Sequence, residues 1–124
     1  MKLIKALTVA AVLTWAGAAE AHHSGAMFDR SVTKTITGTV KEFNWENPHS
    51  SFSVVTPEGD GTQLWSFEMN GPQNLVREGW KRTTLQPGDK VTVTYNPLRD
   101  GKPGGWYVGI TLPDGHVLGG APPQ

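Results

Sequence analysis

The strongest constraint on the fold is a series of short runs in which apolar and polar residues alternate. In one of them Val91, Val93 and Tyr95 alternate with threonines, which is the period of a strand with one buried face. The chain has fifteen glycines and nine prolines, and many of them stand between such runs, as in tight turns. The sequence therefore predicts a protein built mostly of short β-strands.

Five strands and one short helix are expected. The predicted strands cover 35–45, 49–56, 62–69, 90–96 and 106–112, with a tail strand at 116–118, and the helix covers 72–78. The apolar parity of the first strand changes near Glu42, which predicts a bulge or bend there. The residues expected to face the core are Ile36, Val40, Phe43, Phe52, Val54, Trp65, Phe67, Met69, Val91, Val93, Tyr95, Val108, Ile110 and Leu112.

Three strands, a helix and two more strands is the order of an OB-type barrel, so we predict an all-β fold with one short helix and a small five-stranded OB-like barrel. A β-sandwich is the competing fold, but it usually needs about seven strands. We expect residues 22–34 to form an N-terminal extension, residues 35–118 the barrel domain and residues 119–124 a flexible tail.

The first residues have the pattern of a cleavable export signal. Lys2 and Lys5 precede an apolar run from 6 to 18, and Ala19-Glu20-Ala21 is a small-x-small cleavage site. We expect cleavage of residues 1–21, a periplasmic or secreted location, and no membrane insertion of the mature chain. Cleavage after Ala21 would leave His22 as the first residue.

Composition excludes several classes of function. Eleven basic and eleven acidic residues give a formal net charge of zero, which argues against a nucleic-acid partner because such proteins need a basic face. The chain has no cysteine, so disulfides and thiolate metal sites are excluded. No nucleophile elbow or ordered catalytic triad is present, and we therefore expect a protein that is not an enzyme.

Six motifs together resemble a known family. They are AHHS at 21–24, GTVKEFNWENPH at 38–49, GW at 79–80, LQPGDKVTV at 85–93, NPLRDGKPGG at 96–105 and LPDGHVL at 112–118. The chain resembles a family of small exported bacterial proteins that carries a domain-of-unknown-function label. The resemblance implies the fold and an exported location, and it implies no mechanism.

The histidines near the predicted cleavage site are the candidate metal ligands. A free amine on His22 would chelate a metal together with its own imidazole, and His23 or His49 would complete a nitrogen-rich site. Such ligands suit Cu(II) best, and Zn(II) is the less favoured alternative. The competing interpretation is a flexible polar terminus with no ligand.

The loop after the first strand is the candidate binding loop. Trp45 offers a stacking surface, Glu46 and Asn47 offer polar groups, and this loop often lines the binding face of an OB-type barrel. Alternatively, Trp45 only caps the core and Asn-Pro is ordinary turn chemistry. The leading hypothesis is an exported metal-binding protein with a metal ion as its partner. The second is a module that docks to an envelope protein without metal.

Overall fold

A computed structural model of the chain describes residues 25–120. It contains a short 3-10 helix, six strands and one α-helix. The 3-10 helix covers Gly25–Met27, and the other elements are β1 (Lys34–Asn44), β2 (Ser51–Glu58), β3 (Gly61–Glu68), α1 (Pro72–Arg77), β4 (Lys90–Pro97), β5 (Gly104–Thr111) and β6 (Val117–Gly119).

The strands form one sheet in the order β3-β2-β1-β4-β5-β6, and β3 also pairs with β5 in parallel. This last pairing closes β1 to β5 into a barrel, while β6 extends the sheet beside β5. The helix lies between β3 and β4 in the chain. The prediction of an all-β fold with one short helix and a five-stranded OB-like barrel is therefore confirmed.

The predicted parity change in the first strand is a β-bulge. The register between β1 and β2 shifts between Val40 and Glu42. Val40 pairs with Val54 before the shift, and Phe43 pairs with Phe52 after it. The extra residue lets apolar side chains face the core on both sides of the bend, so one long strand contributes to two parts of the barrel wall.

Aromatic side chains fill the centre of the barrel. The rings of Phe52 and Phe67 lie 5.1 Å apart, and the Trp80 indole Nε1 donates to the Tyr107 hydroxyl at 3.2 Å. Burial raises the pKa of Tyr107 well above its ordinary value. The buried core cluster is Val40, Phe52, Val54, Phe67, Met69, Leu75, Trp80, Leu85, Val91, Val93, Tyr95, Tyr107, Ile110 and Leu118.

The short helix begins and ends as its sequence predicts. Pro72 occupies its first turn, where a missing backbone N–H costs nothing, and Gly71 is the N-cap. Gly79 ends the helix with a φ of 96°, a conformation that glycine adopts without strain. The Trp80 backbone N–H then donates to the Leu75 carbonyl, which turns the Trp80 ring into the core.

Two details differ from the sequence-based expectation. Val108 was expected to face the core, but it is only half-buried, because the β4–β5 register shifts between Thr94 and Tyr95 and places Tyr107 opposite Tyr95. The turn between β2 and β3 was expected to span 57–61. The strands instead continue to a two-residue hairpin at Gly59 and Asp60, which a φ of 56° at Gly59 permits.

Residues 25–33, here called the N-terminal segment, pack along the hairpin between β4 and β5. Phe28 is buried and forms a β-bridge with Leu98. The Asp29 N–H donates to the Pro97 carbonyl at 2.8 Å, and the Arg99 N–H donates to the Met27 carbonyl at 2.9 Å. Within residues 25–120, no helix is long and apolar enough to cross a membrane.

Candidate functional site at the first loop of the barrel

The loop between β1 and β2 is fixed by a buried serine. Ser50 is fully buried, and its hydroxyl contacts both the N–H and the carbonyl of Glu46 at 3.2 Å. Its backbone joins the end of β3, because its N–H donates to the Asn70 carbonyl and its carbonyl accepts from Met69. The loop is thereby held at a defined position beside β3 and the start of α1.

A glycine allows the loop to approach the helix closely. A Cβ on Gly71 would lie 2.7 Å from the Pro48 carbonyl oxygen and 3.1 Å from the Asn47 side-chain oxygen. The first distance is too short for a real side chain and the second is tight, so this packing requires glycine before the helix. The Asn47–Pro48 peptide bond in the loop is cis.

His49 contacts an aromatic residue that the sequence did not single out as a site residue. The imidazole is exposed and meets the Trp106 ring nearly at right angles, with the ring centres 5.7 Å apart. Trp106 stands at the start of β5 and is far from His49 in the chain. The loop before β2 therefore contacts the first residues of β5.

The N-terminal segment also packs on the Trp106 ring. The guanidinium carbon of Arg30 lies 4.9 Å from the centre of the ring, a distance at which cation–π attraction operates. The Phe28 ring packs on it at 5.7 Å. Trp106 therefore joins His49 of the first loop to Arg30 of the N-terminal segment.

Gly25, the first described residue, lies close to Arg30. A Cβ on Gly25 would be 3.6 Å from a terminal guanidinium nitrogen of Arg30. The Arg99 side chain holds the same stretch, because its Nε donates to the Ala26 carbonyl at 3.1 Å. His22 and His23, two of the three predicted metal ligands, lie outside the described residues.

The other residues of the predicted binding loop divide into two groups. Trp45 is half-buried and packs against Phe43 at 5.9 Å, and Phe43 in turn contacts Trp80. Glu46 and Asn47 are exposed. Trp45 thus belongs to the outer layer of the core, and among the described ring contacts His49 meets Trp106 and not Trp45.

Sequence reasoning did not identify Trp106, Phe28 or Arg30 as neighbours of the site. A usable signal existed for Trp106, which follows two glycines at the predicted start of a strand. Phe28 is the one aromatic residue between the predicted cleavage site and the first predicted strand. Nothing in either local sequence indicates that these residues meet His49, because that contact depends on how the barrel closes.

No cluster of three or more metal-ligating side chains occurs among residues 25–120. His49 would therefore need ligands from another part of the chain to hold a metal ion. The Asp29 carboxylate is already engaged, since it accepts from the Ser31 hydroxyl at 2.6 Å and from the Ser31 N–H. These hydrogen bonds lower the pKa of Asp29, so this exposed carboxyl stays ionised near neutral pH.

The fold and the site define a small OB-type barrel whose first loop and N-terminal segment meet over one tryptophan. Residues 10–107 match the model described as "Family of unknown function (DUF6152)", and the chain belongs to that family. No curated protein matches the sequence. A solved structure that is similar to the chain is the mitochondrial single-stranded DNA binding protein Rim1 from S. cerevisiae. Its TM-score is 0.49 at 17% sequence identity, over 65% of this chain and 92% of that chain.

The prediction that excluded a nucleic-acid partner is corrected by this comparison. It rested on a net charge of zero, whereas a protein with a similar barrel is described as binding single-stranded DNA. Single strands are held by local grooves and stacking side chains, so the charge of a whole chain does not exclude them. At this TM-score and identity the likeness assigns no nucleic-acid role to this protein.

Proposed function

We propose that the protein is an exported metal-binding protein in which His49 acts together with His22 and His23 at the mature N-terminus. The observation that carries the proposal is the position of Gly25. Gly25 lies beside the Arg30 guanidinium, and that guanidinium packs on the Trp106 ring that His49 also contacts. The start of the described chain is therefore linked to the exposed imidazole through two side chains, Arg30 and Trp106.

Chain length supports a meeting of the three histidines. His22 precedes Gly25 by three residues, and an extended chain spans about 3.5 Å per residue, so roughly 10 Å separate them at most. The Trp106 ring centre is 5.7 Å from the His49 ring and 4.9 Å from the guanidinium of Arg30. Each of these steps is shorter than the reach of the extended residues before Gly25, which supports a meeting of the three imidazoles.

Copper is the metal that suits this ligand set. A free amine and its own imidazole form a small chelate ring, and further imidazoles would complete a tetragonal set of nitrogen ligands, which Cu(II) prefers. Zn(II) would accept the same imidazoles in a tetrahedral arrangement. The proposal requires export and cleavage after Ala21, since only cleavage there leaves a free amine on His22.

Calorimetric titration with Cu(II) tests the site. Protein beginning at His22 should bind one ion per chain, and one additional glycine before His22 should weaken binding by at least about tenfold. His49→Ala should also weaken it, whereas His116→Ala serves as the matched control because His116 is exposed on the turn before β6. Lower pH should release the ion, because amine and imidazole coordinate only when deprotonated.

Each of these experiments has a possible result that would contradict the proposal. Equal affinity with and without the added glycine would reject the amino-terminal chelate. Equal affinity of native protein and His49→Ala would remove the first loop from the site. Recovery of the exported protein with residues 1–21 still attached, measured by mass spectrometry, would reject the proposed amine ligand.

A second candidate function is docking to an envelope protein. The supporting observation is the first half of β3, whose pairing with β5 begins only at Ser66, and which carries Leu64 with 43% of its surface exposed. An open strand edge can accept a strand from a partner. Co-purification of one envelope protein that resists chelator and is lost in Leu64→Lys would favour this function over metal binding.

A further inference from the structure

An open cavity of about 430 Å³ lies at the barrel mouth near the β4–β5 hairpin. Trp65 and Tyr95 form its aromatic wall, and the cationic side chains of Lys34, Arg99 and Lys102 line it with one carboxylate, that of Asp29. The metal proposal uses none of these side chains as ligands. The volume lies within the range of about 300–1,000 Å³ that is typical of small-molecule sites.

The cavity exists because β3 and β5 pair over only part of their lengths. Their contact begins where Ser66 meets Gly104, and the preceding half of β3 has no β5 partner. Gly104 permits the contact, because any Cβ there would collide with the Ser66 carbonyl oxygen. The short pairing of β3 with β5 therefore explains both the close contact at Gly104 and the open space beside it.

Strand register directs one of the cations toward the aromatic wall. Lys34 pairs with Tyr95 across β1 and β4, and directly opposed residues of antiparallel strands share one face of the sheet. Tyr95 is only 3% exposed and faces the core, so Lys34 lies on the inner face at the mouth. Trp65 shares the inner face because it pairs with buried Val54.

The two rings of the aromatic wall contact each other, and the indole N–H of Trp65 already has a hydrogen-bond acceptor. The indole Nε1 of Trp65 donates to the Thr56 hydroxyl at 2.9 Å, and the Trp65 and Tyr95 rings meet edge to face at 6.1 Å. Burial raises the pKa of Tyr95, so its hydroxyl keeps its proton and remains a hydrogen-bond donor at neutral pH. A flat apolar group would gain contact mainly with the half-buried Trp65 ring, because Tyr95 is almost fully buried, and it would leave the Trp65 hydrogen bond intact.

The charges at the rim leave a net positive potential. The single carboxylate of Asp29 is held by Ser31, and its pKa is lowered by these hydrogen bonds. Lys102 lies 3.8 Å from Asp100, but both side chains are more than half exposed, and such pairs contribute little. Arg99 is fixed through its Nε on the Ala26 carbonyl.

We propose that this cavity binds a small aromatic carboxylate, with its ring on Trp65, next to Tyr95, and its carboxylate at Lys34 and Arg99. Two cations near one carboxylate give charge-assisted hydrogen bonds, which are about twice as strong as neutral ones. The aromatic wall supplies the apolar contact that an inorganic anion would not use. The site is independent of the N-terminal metal ligands, and its test is carried out in the presence of chelator.

The experiment is a titration of nitrogen-15-labelled protein beginning at His22, followed by NMR. The probes are 2-naphthoate, the neutral isostere 2-naphthamide and inorganic phosphate. We expect 2-naphthoate to shift the Trp65 indole N–H and Gly104 amide signals and to bind at least about tenfold more tightly than either other probe. Both signals come from residues that line the cavity.

Paired variants separate the charge effect from a general loss of folding. Lys34→Gln should reduce 2-naphthoate affinity to about that of 2-naphthamide, whereas Lys41→Gln, an exposed site on the same strand, should leave it unchanged. Equal binding of 2-naphthoate and 2-naphthamide, or of phosphate and 2-naphthoate, would overturn the proposed ligand class. Shifts confined to residues outside the cavity would overturn the proposed site.

Discussion

The indole of Trp80 and the hydroxyl of Tyr107 share a hydrogen bond of 3.2 Å inside the barrel. Their rings meet at right angles with centres 5.3 Å apart, and Trp80 is only 1% exposed. Trp80 directly follows the stop of α1, and Tyr107 belongs to β5. One polar contact therefore ties the helix to the opposite wall of the core.

Tyr107→Phe should destabilise the protein by about 1–3 kcal/mol, because it leaves the buried Trp80 N–H without an acceptor. Urea denaturation followed by tryptophan fluorescence measures the change. Val117→Ala, at an exposed position on β6, is the control and should change stability by less than about 0.5 kcal/mol. Equal stability of native protein and Tyr107→Phe would show that the hydrogen bond contributes nothing.

Stability should fall at alkaline pH partly through the same residue. Burial raises the pKa of Tyr107 above its ordinary value of 10.0, so above about pH 10 the unfolded chain loses a proton that the folded chain keeps. The full contribution of Tyr107 to the free energy of unfolding is present below that pH and is lost as the pH rises. The free energy of unfolding should drop more steeply between about pH 9 and pH 11 in native protein than in Tyr107→Phe.

The strand register of β4 predicts that aspartate is tolerated at position 92 and destabilises the protein at position 93. Val93→Asp places an unpaired charge at a site with no exposure and should cost about 4 kcal/mol. Thr92→Asp only loses the 2.8 Å contact between the Thr92 and Thr37 hydroxyls, worth about 1 kcal/mol. Thermal unfolding compares the two, and similar melting temperatures would contradict the register.

Because the first loop lies close to the start of α1, adding a single methyl group at Gly71 should lower the free energy of unfolding more than such a substitution usually does. Gly71→Ala should destabilise the protein by about 1–3 kcal/mol, because its Cβ would meet the Pro48 carbonyl at 2.7 Å. Gly61→Ala is the matched control, since its nearest neighbour would be 3.8 Å away. If chemical denaturation finds the two variants equally stable, the loop is not packed against Gly71.

Local sequence patterns were sufficient to predict most strands of the barrel. They were insufficient to predict the contacts between residues that are distant in the chain. The bulge beside Val40 was predictable, because a change of parity within one strand is visible in the sequence. The position of Tyr107 was not, since it depends on a register shift against β4. The burial of Phe28 and the contact of His49 with Trp106 depend on segments that only the closed barrel brings together.

The pairing that closes the barrel is short. Within β3, only Ser66, Phe67 and Glu68 pair with β5, whereas β2 and β3 are joined over eight residue pairs. Local opening requires less free energy where fewer contacts must separate. The barrel can therefore part between β3 and β5 while the remaining sheet stays folded, and backbone amides along this boundary will exchange with solvent through such openings before the core does.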